Sequence, residues 1–191
     1  MNPDDPDWEK TAAGRSFSYK FGYGALDGYT YVMEAQKWEL VKPQAWIHLP
    51  AVQLSGGAMN ADHEMSGGEP IGPGGVSSEI TVTADTLKEH NFETLEHVTV
   101  RVWIEHSKRG DVLVELVSPS GIKSVLAAPR SGDTADTGFR GWRFMSVKHW
   151  WVTRSFSVCV VLILALGMKA PSVTGRSGSL MQRILGIAES F

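Results

Sequence analysis

Between Leu95 and Pro119 the chain alternates apolar and polar positions. Val98, Val100, Val102 and Ile104 interleave with Thr99, Arg101, Trp103 and Glu105. A period of two puts one set on each face of a strand, and the β-branched residues suit a half-buried pleated surface. Lys108-Arg109-Gly110-Asp111 then turns the chain, with Gly110 free to take a positive φ. Val112, Val114 and Leu116 resume one face while Leu113, Glu115 and Val117 take the other. The pattern predicts two strands around a charged hairpin turn. Ser118-Pro119-Ser120-Gly121 is the next turn signal, and residues 122–128 read as a further strand. Residues 79–83 form another, residues 84–90 a short helical turn, and residues 142–149 a closing strand. The fold class is all-β and antiparallel.

Three segments differ in character. Residues 1–40 are one unit. It has an acidic loop at Asp4-Asp5-Pro6-Asp7-Trp8, a flexible turn at Gly22-Tyr23-Gly24, and a predicted helix from Leu26 to Trp38. Leu26, Tyr29, Val32, Met33 and Ala35 lie near one face of that helix, and Asp27 stands at its start, where a carboxylate is favourable. Forty residues bury too little surface to fold alone, so this unit reads as the end of something larger. Residues 41–150 are the β domain. Its stretch 55–75 holds seven glycines and two prolines, which predicts a long surface loop. Residues 151–191 break the pattern. Val158 to Leu166 is one apolar run, well short of the roughly 20 residues of a membrane helix, which leaves a buried strand or a hydrophobic tail. Leu180 to Ile187 is a short amphipathic stretch.

Composition fits a globular domain. A formal net charge of −3 implies no nucleic-acid or anionic-membrane partner. Cys159 is the single cysteine, so no internal disulfide forms. Met1 is followed by Asn2-Pro3-Asp4-Asp5-Pro6 rather than a basic and apolar run, so no secretory signal is visible; the chain is cytosolic or its true start lies upstream. No cofactor-binding or metal-binding residue is assigned. His97 and His106 stand nine apart at opposite ends of one strand, on opposite faces, and no HxH or HExxH spacing occurs. The glycines at 67, 68, 72, 74 and 75 lack the GK[ST] and the strand-to-helix setting of a phosphate loop. Trp38, Trp46, Trp103 and Trp142 suggest a carbohydrate platform, but core and interdomain packing is the plainer reading.

Several motifs carry a family resemblance. Asp4-Asp5-Pro6-Asp7-Trp8, Thr11-Ala12-Ala13-Gly14 and Lys20 to Asp27 (KFGYGALD) resemble the end of the catalytic domain of fungal kexins, the calcium-dependent, subtilisin-like proprotein convertases. There an FGxGxLDA-type motif opens the last helix. Gly28 replaces the usual alanine here, at a cost of about 1 kcal/mol in helix propensity. Leu95-Glu96-His97-Val98, Ile104-Glu105-His106, Arg109-Gly110-Asp111, Leu116-Val117-Ser118-Pro119, Ser124-Val125-Leu126 and Phe144 to Trp150 (FMSVKHW) resemble that family's P domain, or Homo B domain, in family order.

The resemblance implies a jelly-roll-like, galactose-binding-like β-sandwich, incomplete and preceded by one catalytic-domain helix. It implies a subtilisin-like catalytic domain as intramolecular partner, calcium for the full-length enzyme, and the late Golgi or secretory lumen as its compartment. In the family this domain stabilises the catalytic domain and tunes its pH and calcium dependence. No catalytic residue is assigned, because the HGT-type and GTSA-type motifs of the triad are absent. Asp136-Thr137-Gly138 resembles the Asp motif, or half of an aspartic protease. Its flanks, Gly132-Asp133-Thr134-Ala135, are loop-like, so a solvated turn is the better reading. Arg109-Gly110-Asp111 could be an integrin-binding tripeptide. Its place in the P-domain pattern makes it a structural turn that supports domain folding.

After Trp150 the family continues with a PxGDWTLxVxD strand and a final LxxWxL strand, and neither appears in residues 151–191. Some codon choices for Ala170 to Met181, read in another frame, spell PIGDWTIRVSD. The expectation is a retained intron over Trp151 to about Gly167 followed by a frame shift, so that the P domain is truncated. The leading reading is thus a P-domain fragment of a kexin-like endopeptidase that processes proproteins at dibasic sites, inactive alone. The alternatives are a stand-alone β-sandwich binding module for sugars or peptides, and a non-functional gene-model fragment.

Overall fold

The computed structural model describes residues 2–11, 13–40, 43–62, 65–72, 74–92, 95–147, 157–166 and 180–189. Twelve strands and two short helices are assigned among them. In the N-terminal unit a two-stranded ribbon pairs β1 (Glu9–Lys10) with β2 (Ser16–Phe17), and α1 (Gly28–Ala35) follows. Then come β3 (Ala45–Gln53), the small ribbon β4 (Ala58–Met59) and β5 (Met65–Ser66), β6 (Val76–Thr83) and α2 (Ala84–Glu89). The sandwich continues with β7 (His97–Ile104), β8 (Val112–Val117), β9 (Lys123–Ala127) and β10 (Phe139–Ser146), then β11 (Ser157–Leu166) and β12 (Leu180–Glu189).

Two four-stranded antiparallel sheets face each other, one ordered β10-β7-β12-β3 and the other β6-β11-β8-β9. The all-β, antiparallel fold class read from the alternation is therefore the fold, and its two facing sheets are the β-sandwich that the resemblance implies. Its core is built from the inward set of that alternation. Val98, Val100, Val102 and Ile104 of β7 meet Val112, Val114 and Leu116 of β8, and all seven are fully buried. Ile47, Val82, Phe139, Ala127 and Leu95 close the same cluster. At about 1.5–3 kcal/mol for each fully buried aliphatic side chain, these layers supply most of the drive to fold.

β7 and β8 do not form the hairpin that the sequence predicts. They belong to different sheets, so the connection at Arg109–Asp111 carries the chain across the sandwich. A tight hairpin needs left-handed residues in its turn, and residues 105–111 contain none; the chain takes a 3-10 turn at Arg109–Asp111 instead. Gly110 is thus not a left-handed glycine. The β8–β9 connection is a hairpin, turned at Ser118 to Gly121, where Gly121 adopts φ +80° and Ser118 and Ile122 are joined by a backbone bond of 2.9 Å.

Helices are shorter than the periodicity suggests. α1 covers Gly28–Ala35, not residues 26–38, because Asp27 is the N-cap and accepts from the Tyr29 and Thr30 amides. Thr83 caps α2 in the same way through the Thr86 amide. Among its described residues the glycine-rich stretch 55–75 holds the β4–β5 ribbon and no other strand pair. β10 begins at Phe139, earlier than residue 142, because a bulge between Arg140 and Trp142 lets it run on. Gly141 forms that bulge at φ +71°, and its carbonyl accepts from Arg101 Nε at 2.9 Å. His106 lies just beyond the end of β7 rather than within it.

The apolar run of the last segment is a strand. β11 pairs with β6 over eight residue pairs and with β8 on its other side. β12 lies between β3 and β7, with register breaks at Arg183/Leu185 and Leu185/Ile187 against β3. The stretch read from sequence as a departure from the P-domain pattern thus provides an inner strand to each sheet. Of the expected intron over Trp151 to about Gly167 and the shifted frame over Ala170 to Met181, residues 151–156 and 167–179 fall outside the described residues.

Candidate functional site

Arg109, Gly110 and Asp111 form the hub of a clasp between the β7–β8 connection and the β9–β10 loop. The Arg109 guanidinium grips Asp133 at two points, Nε to Oδ2 at 2.8 Å and Nη2 to Oδ1 at 3.0 Å. This is the forked geometry that makes arginine–carboxylate pairs directional. Arg130 Nη2 adds a third contact to Asp133 Oδ2 at 3.1 Å. Held this way, chiefly by Arg109, with Arg130 and the Ala135 amide adding to the effect against the opposing cost of burial, the Asp133 carboxyl falls to a pKa of about 2. The other face of Arg109 lies 4.8 Å from the Trp142 ring, a cation–π stack at the rim of the Phe139–Trp142–Phe144 aromatic cluster. Lys108 Nζ pairs with Asp111 Oδ1 at 2.9 Å.

The backbone joins the same two segments. The Arg109 amide donates to the Ala135 carbonyl at 2.7 Å, Gly110 to Asp133 at 3.0 Å, and Arg130 back to Gly110 at 2.7 Å. This explains Gly110 without a positive φ: a Cβ there would overlap the carbonyl oxygens of Arg130 and Asp133. Gly138, at φ +60°, is more constrained, because a Cβ would overlap the Ile104 carbonyl oxygen. All three residues of the tripeptide are thus engaged inside the domain. Nothing in the sequence marks Arg130, Asp133 and Trp142 as its partners, because no local pattern links a turn to a loop 24 positions away.

The remaining candidates do not converge. Asp136 and Thr137 lie exposed on the bend before β10. His106 Nδ1 sits 2.7 Å from the Lys108 carbonyl oxygen, bracing the clasp turn. His97 and His48 flank Trp46 on the outer sheet face. Among the described residues no group of three or more His, Cys, Asp or Glu could hold a metal ion. The four tryptophans form no common platform: Trp103 is buried beneath Arg101, Trp142 stacks on Arg109, and Trp46 and Trp38 lie elsewhere. No described helix is long and apolar enough to cross a membrane.

The second surface is the N-terminal unit. α1 buries none of its residues. Leu26, Tyr29, Val32 and Trp38 are exposed, Leu26 by 78%. Its acidic loop is ordered by ion pairing, with Lys20 Nζ 2.9 Å from Asp5 Oδ1 and Ser18 Oγ donating to Asp7 Oδ2 at 2.7 Å. Both carboxyls are held below their ordinary value, Asp5 chiefly by Lys20 and Asp7 chiefly by Ser18.

Comparison with known proteins bears on the clasp first. Residues 95–154 match the proprotein convertase P-domain, which spans β7 to β10 and the whole clasp. Over 150 residues the chain is 40% identical to protease KEX1 of Kluyveromyces lactis, covering 78% of this chain and 18% of that protein. It is 42% identical over 146 residues to the dibasic-processing endoprotease of Schizosaccharomyces pombe, covering 75% and 19%, and 35% identical to the kexin of Saccharomyces cerevisiae, covering 76% and 17%. The chain contains a P domain of the fungal kexin-like proprotein convertase family. It spans less than a fifth of the length of these relatives. Among solved structures, the Aeromonas sobria serine protease in complex with its chaperone shares the fold at a TM-score of 0.66 and 22% identity, over 96% of this chain and 33% of that one. The same protease alone gives 0.63 over 95% of this chain and 33% of that one. The shared fold thus runs past the 75–78% of the chain that the sequence matches cover.

Proposed function

We propose that this chain is the regulatory and stabilising part of a kexin-like, calcium-dependent serine endopeptidase that cleaves proproteins after paired basic residues in the late secretory pathway. The sandwich is its P domain, and residues 1–40 are the end of the catalytic domain that the sandwich supports. The observation that carries the reading is α1: an amphipathic helix with no buried residue, outside the buried cluster of the sandwich. Such a helix needs a partner, and the rest of a subtilisin-like catalytic domain is the partner the family resemblance supplies. The reading places the calcium dependence that the resemblance implies in the catalytic part.

The test is a chimera in which this chain replaces the matching segment of the Kluyveromyces lactis protease. The chimera is expected to cleave a dibasic peptide, while this chain alone gives no turnover. Turnover by the isolated chain, or a folded chimera without activity, would overturn the proposal. Glycan binding by the isolated chain would favour the stand-alone binding module instead.

A further inference from the structure

We propose that Tyr19 is a positioning residue that fixes the N-terminal unit on the free edge of β9, and that this edge is the interaction surface for residues 16–23. β9 is the last strand of its sheet. A sheet edge presents unpaired backbone groups that must be covered or blunted. At Val125 the cover is a side chain: the Val125 amide donates to the Tyr19 hydroxyl at 2.8 Å, across 106 positions of sequence. Lys123, a charge at the start of the same short strand, reaches across to Glu115 of β8 at 3.4 Å.

Tyr19 is displayed by a turn that is fixed before it meets β9. Ser18 and Gly22 exchange both backbone bonds, at 2.9 and 2.8 Å. The buried Ser18 hydroxyl donates to Asp7 and accepts from the Lys20 amide at 3.0 Å. Gly22 takes φ +58° to close the turn. Phe17 packs edge-on against the Tyr19 and Tyr23 rings at 5.4 and 5.2 Å, which aims the phenol. The hydroxyl thus arrives with little further ordering to lose. The inference rests on this geometry and stands whether or not the chain belongs to an active protease.

The test is residue-resolved amide exchange on the full chain. In the native protein the Val125 amide is expected to be protected although it faces away from the sheet. Tyr19→Phe keeps the ring and removes only the acceptor, and it should speed exchange at Val125 about tenfold while the β7 amides stay unchanged. Val125→Pro removes the donor at a position where an edge strand tolerates proline, and its effect on the melting temperature should not add to that of Tyr19→Phe. An unprotected Val125 amide in the native chain, which needs no variant to fold, would overturn the proposal. So would additive effects of the two substitutions.

Discussion

The β7–β8 layer and helix α1 are both amphipathic by sequence, and they end in opposite states. In β7 every inward residue is fully buried against the facing sheet. In α1 nothing is buried. The difference is not propensity: α1 is properly started, with Asp27 accepting two amides and the Thr30 hydroxyl. It is the presence of a facing layer. An eight-residue helix is marginal without tertiary packing, and among the described residues no layer faces α1; the proposed function supplies one in the rest of a catalytic domain. The sandwich brings its own.

The comparison breaks hardest in the core. Leu116→Ala removes a side chain with no exposure, and it is expected to cost about 2–5 kcal/mol in urea denaturation. A loss under about 1 kcal/mol would mean that the two sheets are not packed through β8. Gly138→Ala comes next. The residue combines a left-handed φ with contact against the Ile104 carbonyl, so strain and overpacking should together cost about 2–4 kcal/mol. A variant with an unshifted urea midpoint would show that the 128–138 loop does not sit against β7.

Below these lies the clasp, where the effect is one of pH. Asp133 has its carboxyl depressed to about 2, first by Arg109. A depressed carboxyl stabilises the fold fully above its unfolded value and loses that contribution as pH falls through its folded value. The native chain should therefore exceed Asp133→Asn in melting temperature by a constant margin at neutral pH. The margin should shrink between about pH 4 and pH 2. A margin independent of pH across that window would mean that the Arg109–Asp133 pair is not formed.

These sites also mark where sequence stopped being informative. The period-two runs of 98–104 and 112–116 are read correctly because each residue's facing is set by its own strand. What joins two strands is not local. The hairpin expected between β7 and β8 is a crossing between sheets, and residues 105–111 hold no left-handed residue for a tight turn. The sequence suggests for Gly110 a backbone freedom it does not use, because the carbonyls that exclude its Cβ come from residues 130 and 133. Tyr19 carried no signal, since its partner is a backbone amide and any residue but proline at 125 supplies one. The motifs of the P domain were legible as a set, and the set named the family before the geometry did.

The smallest predicted effect is the one that separates the two regions most sharply. Leu26→Ser replaces a residue that is 78% exposed, so in this chain it should change stability by less than about 0.5 kcal/mol. The same substitution in the chimera with the Kluyveromyces lactis protease should behave like a core change. There the leucine would meet the rest of a catalytic domain, and burying a hydroxyl in its place costs both packing and an unmet hydrogen bond, about 2–5 kcal/mol together. The readout is the pair of melting shifts, one in each context. A shift that is small in both would leave α1 a surface helix and remove the main physical reason for attaching it to a larger domain. A shift that is large already in the isolated chain would mean that α1 packs on the sandwich itself.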